Sequence, residues 1–400
     1  MALSLPDFPW NSLAPFVVRA KAYDGGLVDL SVGSPVDPTP AIIRESLAAA
    51  TDAHSYPQTV GTPALREAVV EWFARRRGVN DLTVANVIPT IGSKEFIAGL
   101  ALWLGLGKGD IIVQPTLAYP TYAVGAALVG ATVVSADDPA EWPKGTKLIW
   151  INSPGNPDGR ILSADELRAA VARARELGAI IVSDECYAEL GWGEEFSGSN
   201  ADPTDAVHRA TPSILDPLVI DGDRSSVLAV YSLSKQSNLA GYRAAFVAGC
   251  SDILAEVLEV RKNLGLMPPA PVQAAMVVAL GDDMHVSEQR SIYRSRRDRL
   301  SAAFESAGFR VDQSEGGLYL WLTKGVGALQ TVGELADLGI LVAPGTFYGD
   351  SGSRHIRVAL TATDVAVDRA VERLTTQVLG ISSNKPGQPL VDATVDPAAN

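Results

Sequence analysis

The chain has 400 residues, 47% apolar and 20% charged, a balance that packs a core and excludes an intrinsically disordered protein. With 33 Lys and Arg against 46 Asp and Glu the net charge is −13, which argues against nucleic-acid and anionic-membrane partners. At about 150 residues per domain, the length predicts two or three domains.

The opening residues, MALSLPDFPW, hold neither a basic stretch nor a long apolar run, so no signal peptide is expected. Cys186 and Cys250 each lie in an apolar stretch, which predicts two buried, reduced thiols and a cytoplasmic protein. Thr62 and Pro63 offer a cap and a first-turn proline to a helix with the apolar stripe Leu65, Val69, Trp72 and Phe73, stopped at Gly78. Short apolar strands are predicted at 86–91, 110–114, 132–135, 147–151, 179–183, 227–231 and 244–248. Several are apolar at nearly every position (Ile180-Ile181-Val182, for one), as strands covered on both faces are. Residues 111–136 carry no charge, but Pro115 and Pro120 break the run into strand, turn, helix and strand rather than a membrane span. A helix at 163–177 is framed by a Ser163–Glu166 capping box and by Gly178.

The alternation predicts an α/β fold: a large domain at 36–280 with a mainly parallel seven-stranded sheet sandwiched by helices. Beyond it a long helix at 285–307, strands at 317–322 and 354–359 and helices near 329–337 and 363–376 read as a smaller α+β domain. That domain is assigned 281–381 together with the N-terminal segment 1–35, leaving 382–400 as a flexible tail. Arg290, Arg294, Arg296, Arg297 and Arg299 read as a solvated helix face.

No dinucleotide fingerprint, Walker loop or nucleophile elbow follows any predicted strand, and His54, His208, His285 and His355 lack metal-ligand spacing. No metal site is expected. The chemistry sits instead at strand ends. The strand 227–231 delivers Ser232, Ser234 and Lys235, a lysine whose amine desolvation would turn into a nucleophile toward carbonyls, with Arg243 beside two hydroxyls able to hold a phosphate. The strand 179–183 ends in Asp184, with Tyr187 three residues on; a carboxylate there needs a cationic or hydrogen-bonding partner. The strand 147–151 enters the Gly- and Pro-rich turn Asn152–Gly159, and Gly92, Ser93 and Lys94 pass from strand to helix, where backbone N–H groups receive anions.

The motifs NSPGNPDG, SDECYAEL, YSLSKQSNLAGYRAAF and HIRVAL, in this order over residues 28–376, resemble the class I/II aminotransferases, the fold-type I pyridoxal-phosphate enzymes. The resemblance implies pyridoxal 5'-phosphate as cofactor, bound covalently through Lys235, with Asp184 pairing with its ring nitrogen. It further implies Tyr187 and Asn156 at the ring's 3-oxygen, Tyr119 stacked on the ring, and Ser93, Lys94, Ser232, Ser234 and Arg243 as a phosphate cup. Tyr56 matches a tyrosine that crosses a dimer interface to the partner's phosphate; Arg357 matches the arginine that clamps the substrate carboxylate, with Gly33 approaching it through the backbone. A homodimer with shared sites, acting on amino acids and 2-oxo acids, is the expectation. Catalysis is assigned to Lys235, Asp184 and Tyr187.

Within the family, the segments LPDFPW, VGSPVDP, RKNLGLMPPAPVQ, GGLYLW and VAPGTFYG resemble actinobacterial-type N-succinyldiaminopimelate aminotransferases of lysine biosynthesis. That activity pairs glutamate and 2-oxoglutarate with the succinylated substrate and implies a second cationic or N–H-rich pocket. Another aminotransferase (for aspartate, alanine, aromatic amino acids or LL-diaminopimelate), a C–S lyase and a non-catalytic regulator stay open; no basic DNA-binding extension precedes residue 30. Phe8, Trp10, Phe16 and Tyr23 read as core packing or as a lid.

Overall fold

The computed structural model describes residue 5, residues 9–196 and residues 211–378. Seven strands form one sheet: β1 (Val87–Ile91), β2 (Ile111–Gln114), β3 (Thr132–Ser135), β4 (Thr146–Asn152), β5 (Ile180–Asp184), β6 (Val227–Ser232) and β7 (Ala244–Gly249). They are ordered β1-β7-β6-β5-β4-β2-β3, and only β7 runs against its neighbours. Each of these strands lies within one residue of its predicted bounds; β6 and β7 are buried along their whole length, which leaves a local signature, whereas the edge strand β3 is only half-buried.

The helices that cover the sheet are set by their ends. Pro63–Arg77 starts where Thr62 Oγ1 accepts from Leu65 N–H (3.2 Å) and stops at Gly78, whose φ of 68° suits a residue without Cβ. Ala164–Leu177 opens with the reciprocal box, Ser163 N–H to Glu166 (2.8 Å) and Glu166 N–H to Ser163 (3.2 Å). One sheet face buries Trp72, Phe73, Tyr231 and Phe246, with Trp72 and Tyr231 ring centres 4.5 Å apart. The other face buries Phe96, Leu100, Tyr122 and Trp150. Each such side chain contributes about 1.5–3 kcal/mol by leaving water.

A second, antiparallel sheet, ordered Ala343–Pro344, Ile356–Ala359, Tyr319–Thr323, Arg310–Asp312, packs with the helices Met284–Ser306, Ala328–Asp337 and Asp364–Val378 around a separate core. The N-terminal Val28–Asp29 pairs in parallel with Ile340–Leu341. Among the described residues, no helix is long and apolar enough to cross a membrane.

Two expectations need correction. The arginine run is not a uniformly solvated face: Arg296 is buried and grips Asp37 with two hydrogen bonds (2.8 and 2.6 Å), while Arg290 donates to the Gly191 and Phe196 carbonyls (2.5 and 2.9 Å). Arg290 and Arg294 also lie over Trp192 (5.8 and 5.7 Å). Charge counting along a helix does not see the loops that cross it. Cys186 is buried, but Cys250, just past β7, is only half-buried. Phe8, His208 and the segment 382–400 lie outside the described residues.

Candidate active site

Gln114, Asn152, Asp184 and Ser232 end β2, β4, β5 and β6 on one edge of the sheet. β1 and β6 both oppose β7, so they run the same way, and Gly92 and Ser93 after β1 reach that edge too. A cavity of about 900 Å³ opens there, walled on its other side by the second unit through Tyr319, Tyr348 and Arg357 and by the N-terminal Pro9 and Trp10.

Lys235 reaches this cavity from a single turn of helix, Leu233–Gln236, which Ser232 caps by accepting from Ser234 N–H (3.2 Å) and donating to the Ser234 hydroxyl (2.8 Å). Its Nζ donates to the Gly33 carbonyl. Burial pushes the lysine pKa down and prevails over the opposing pull of Tyr319 and Cys186, and the charges of Arg357 and Arg243 add to the lowering. An amine so placed sheds its proton more readily than a surface lysine.

Asp184 is buried and accepts from the Tyr122 hydroxyl (2.9 Å) and from Cys186 N–H (3.2 Å). Burial raises its pKa, and those bonds only partly offset the rise. Tyr122 itself is held flat against Trp150 of β4, ring centres 5.1 Å apart at 13°. Asn152, paired with Asp184 across β4 and β5, donates to the Asp184 carbonyl (2.8 Å) and accepts from Asn156 N–H (2.7 Å), which fixes the turn that carries Asn156.

An anion cup lies beside them. The helix Ser93–Trp103 begins at Gly92, whose N–H donates to the Arg243 carbonyl (2.7 Å) and whose φ is 72°. A Cβ on Gly92 would run into the Arg243 guanidinium, so glycine lets that charge lie against the helix N-terminus. Ser93, Lys94, Ser232 and Ser234 complete the rim.

Arg357 is buried in the strand Ile356–Ala359. It donates to Asn156 Oδ1 (2.9 Å) and to the Ser31 carbonyl (2.7 Å), and lies 3.8 Å over the Tyr319 ring, with Tyr348 at 5.0 Å and Trp10 at 5.7 Å. Burial alone would lower its pKa; the surrounding tyrosines, Tyr319 first, more than reverse this, and the guanidinium stays charged. The Tyr187 and Tyr319 hydroxyls are hydrogen-bonded at 3.2 Å.

Of the residues predicted for the site, Gly33, Ser93, Lys94, Tyr119, Asn156, Asp184, Tyr187, Ser232, Ser234, Lys235, Arg243 and Arg357 all line this cavity. Tyr56 does not; it stands 97% exposed on the loop before Pro63–Arg77. Sequence reasoning did not assign Tyr122 or Tyr319 a role. Their signal was faint: a tyrosine on a buried helix or strand must find a partner for its hydroxyl, but the chain alone does not say which. The aromatic N-terminal residues divide: Trp10 walls the cavity, Phe16 packs on the second core, and Tyr23 lies 4.4 Å under Arg373.

The donor set fits pyridoxal 5'-phosphate. A desolvated amine suits its aldehyde, a buried carboxylate its protonated ring nitrogen, and a helix N-terminus with hydroxyls and an arginine its phosphate.

A family model described as aminotransferase class I and II matches residues 26–374. A probable aminotransferase of Mycobacterium tuberculosis, Rv1178, is 53% identical over 94% of this chain and 86% of its own. The 4-dedimethylamino-4-oxo-anhydrotetracycline transaminase OxyQ of Streptomyces rimosus is 50% identical over 93% of this chain and 99% of its own. An LL-diaminopimelate aminotransferase of Aquifex aeolicus is 32% identical over 87% and 90% respectively. Among solved structures, an aminotransferase of Neisseria meningitidis superposes with a TM-score of 0.82 at 28% identity, covering 94% of this chain and 98% of that one.

Proposed function

Because this chain belongs to the class I and II aminotransferase family, whose members work with pyridoxal phosphate, we propose that it transfers the amino group of N-succinyl-LL-2,6-diaminopimelate to 2-oxoglutarate. The observation that carries the reading is the convergence of Lys235, Asp184 and Arg357, from three distant segments, on one cavity of about 900 Å³. That volume suits a long, branched substrate, and its far wall of Pro9, Trp10, Phe347 and Tyr348 suits the methylene spacer of such a molecule. Relatives named for LL-diaminopimelate support the same carbon skeleton.

When bound, pyridoxal phosphate supplies an aldehyde for amines and a ring that accepts an electron pair. Arg357 grips the substrate α-carboxylate bidentately, its guanidinium already oriented by Asn156 and Ser31. Lys235 Nζ, its proton loosened by desolvation, takes the proton from the substrate Cα and returns it on the cofactor side, as base and then acid. Asp184, steered by Tyr122, would hold the ring nitrogen in its protonated form; Tyr187 and Asn156 would hold the 3-oxygen, and Tyr119 would support the ring, all four lining the cavity. Ser93, Lys94, Ser232, Ser234 and Arg243, which line the cavity, would hold the phosphate, and Gly33 would receive the carboxylate through its backbone. Two half-reactions at one site give ping-pong kinetics.

Tyr56, too exposed to serve its own cavity, serves the phosphate of a partner in a homodimer in this reading, and the enzyme is cytoplasmic. The proposed domain division is 36–280 against 281–381 with 1–35.

A second reading has its own support. Among the described residues lining the cavity the side-chain cations are Lys94, Lys235, Arg243 and Arg357, so the second cationic pocket expected for a distal carboxylate adds no further arginine. The aromatic wall, and the similarity to OxyQ, favour a cyclic ketone as acceptor. A panel of donors and acceptors, including the succinylated diaminopimelate and a polycyclic ketone, tests both. The highest kcat/KM for the succinylated compound is expected; a preference above tenfold for another partner overturns the substrate assignment.

A further inference from the structure

Tyr319 opens the strand Tyr319–Thr323 and is buried between the two halves of the site. Its hydroxyl lies 3.2 Å from that of Tyr187, the two rings edge to face at 5.8 Å, while the Arg357 guanidinium covers its ring at 3.8 Å. A Cβ on Gly33 would collide with the same hydroxyl, and the Gly33 carbonyl is the acceptor for Lys235 Nζ. One phenol therefore touches the carboxylate clamp, the lysine's anchor and the tyrosine at the cofactor.

We infer that Tyr319 is a positioning residue for transamination: its hydroxyl donates to Tyr187 and so leaves the Tyr187 proton aimed at the cofactor. The titratable groups that face it are Lys235, Arg357, Tyr119, Tyr187, Tyr293 and Tyr348. Burial pushes the Tyr319 phenol up, but the charges of Arg357 and then Lys235 hold its pKa below the ordinary value. Burial, reinforced by Tyr319, pushes Tyr187 well above that value. A phenol carries one proton, so when Tyr187 gives its own to the 3-oxygen the 3.2 Å bond between the two hydroxyls is made by the Tyr319 proton. A hydroxyl that accepts a hydrogen bond donates its own more strongly, so Tyr319 strengthens the contact Tyr187 makes with the 3-oxygen.

This rests on the reading that Tyr187 faces that oxygen, and the test separates the two. The pH midpoint of the bound cofactor's visible absorption is measured in the wild-type, Tyr187→Phe and Tyr319→Phe holoenzymes. Weaker donation to the 3-oxygen destabilises its anionic form, so both midpoints rise. The Tyr319→Phe shift is the smaller, about half a pH unit for a bond strengthened by a fraction of its value. Fluorotyrosine at 319, of the same shape but more acidic, moves the midpoint the other way and reports even if the Phe variant folds poorly. A Tyr319→Phe midpoint equal to wild type beside a shifted Tyr187→Phe overturns the role of Tyr319 alone; no shift in either overturns the placement of Tyr187 as well.

Discussion

Replacing Arg357 with alanine removes the group proposed to hold every amino-acid substrate by its carboxylate. The structure sets the scale of the loss. The guanidinium is 2% exposed and makes two hydrogen bonds, at 2.9 Å to Asn156 and 2.7 Å to Ser31, so its removal leaves those acceptors and the incoming carboxylate without this donor. Truncating one partner of a buried, hydrogen-bonded charge pair costs about 2–5 kcal/mol. That corresponds to a fall in kcat/KM of about 30-fold to about 5,000-fold. Arg357→Lys keeps the charge but loses the planar fork and the stacking on Tyr319 at 3.8 Å, so its loss is intermediate. Rapid-mixing half-reactions, followed by cofactor absorbance with a series of amino acids, measure both variants. Every substrate is expected to suffer alike. A loss confined to one donor would place Arg357 at the side-chain end of the substrate and refute the clamp.

Tyr122→Phe removes the 2.9 Å donor to Asp184; a hydrogen bond to a charged group contributes about 1.5–3 kcal/mol, so cofactor affinity should drop by roughly ten- to a hundredfold, and an unchanged Kd by fluorescence titration would contradict the role. Arg77→Ala leaves Glu185 buried without its 2.8 Å ion-pair partner, and chemical denaturation should show about 3–5 kcal/mol of lost stability; a change below about 1 kcal/mol refutes it. The pH dependence of stability carries a sign. Burial raises the Asp184 pKa above the ordinary 3.8, so the folded, cofactor-free protein binds the extra proton, and stability is lost as pH rises from there through the raised value. Asp184→Asn abolishes this slope, and in thermal melts its advantage over wild type should grow across that window; a constant gap would speak against the buried carboxylate.

Much of this was legible in the chain because it is written locally. Strands such as β6 and β7 show themselves by nearly unbroken apolar runs, and the helices Pro63–Arg77 and Ala164–Leu177 by caps within four residues of their starts. Asp184 stands out because it ends such a strand, and Lys235 because it follows three residues after one. What stayed hidden depends on sheet order. Tyr122 meets Asp184 only because β5 lies next to β4, whose Trp150 supports the tyrosine, and Tyr319 meets Tyr187 only because the second sheet closes over the strand ends. Arg296 is similar: its partners Asp37 and Asp364 lie 259 and 68 residues away in sequence. The seven-residue span of arginines from 290 to 296 gives no hint of those crossings.

The most direct measurement is hydride trapping of the purified protein followed by peptide mass mapping. A reduced vitamin B6 adduct on the peptide that contains Lys235, absent from Lys235→Ala together with all turnover, is the predicted result. A protein that takes up no vitamin, carries the adduct on another lysine, or still turns over as Lys235→Ala would contradict the account at its root.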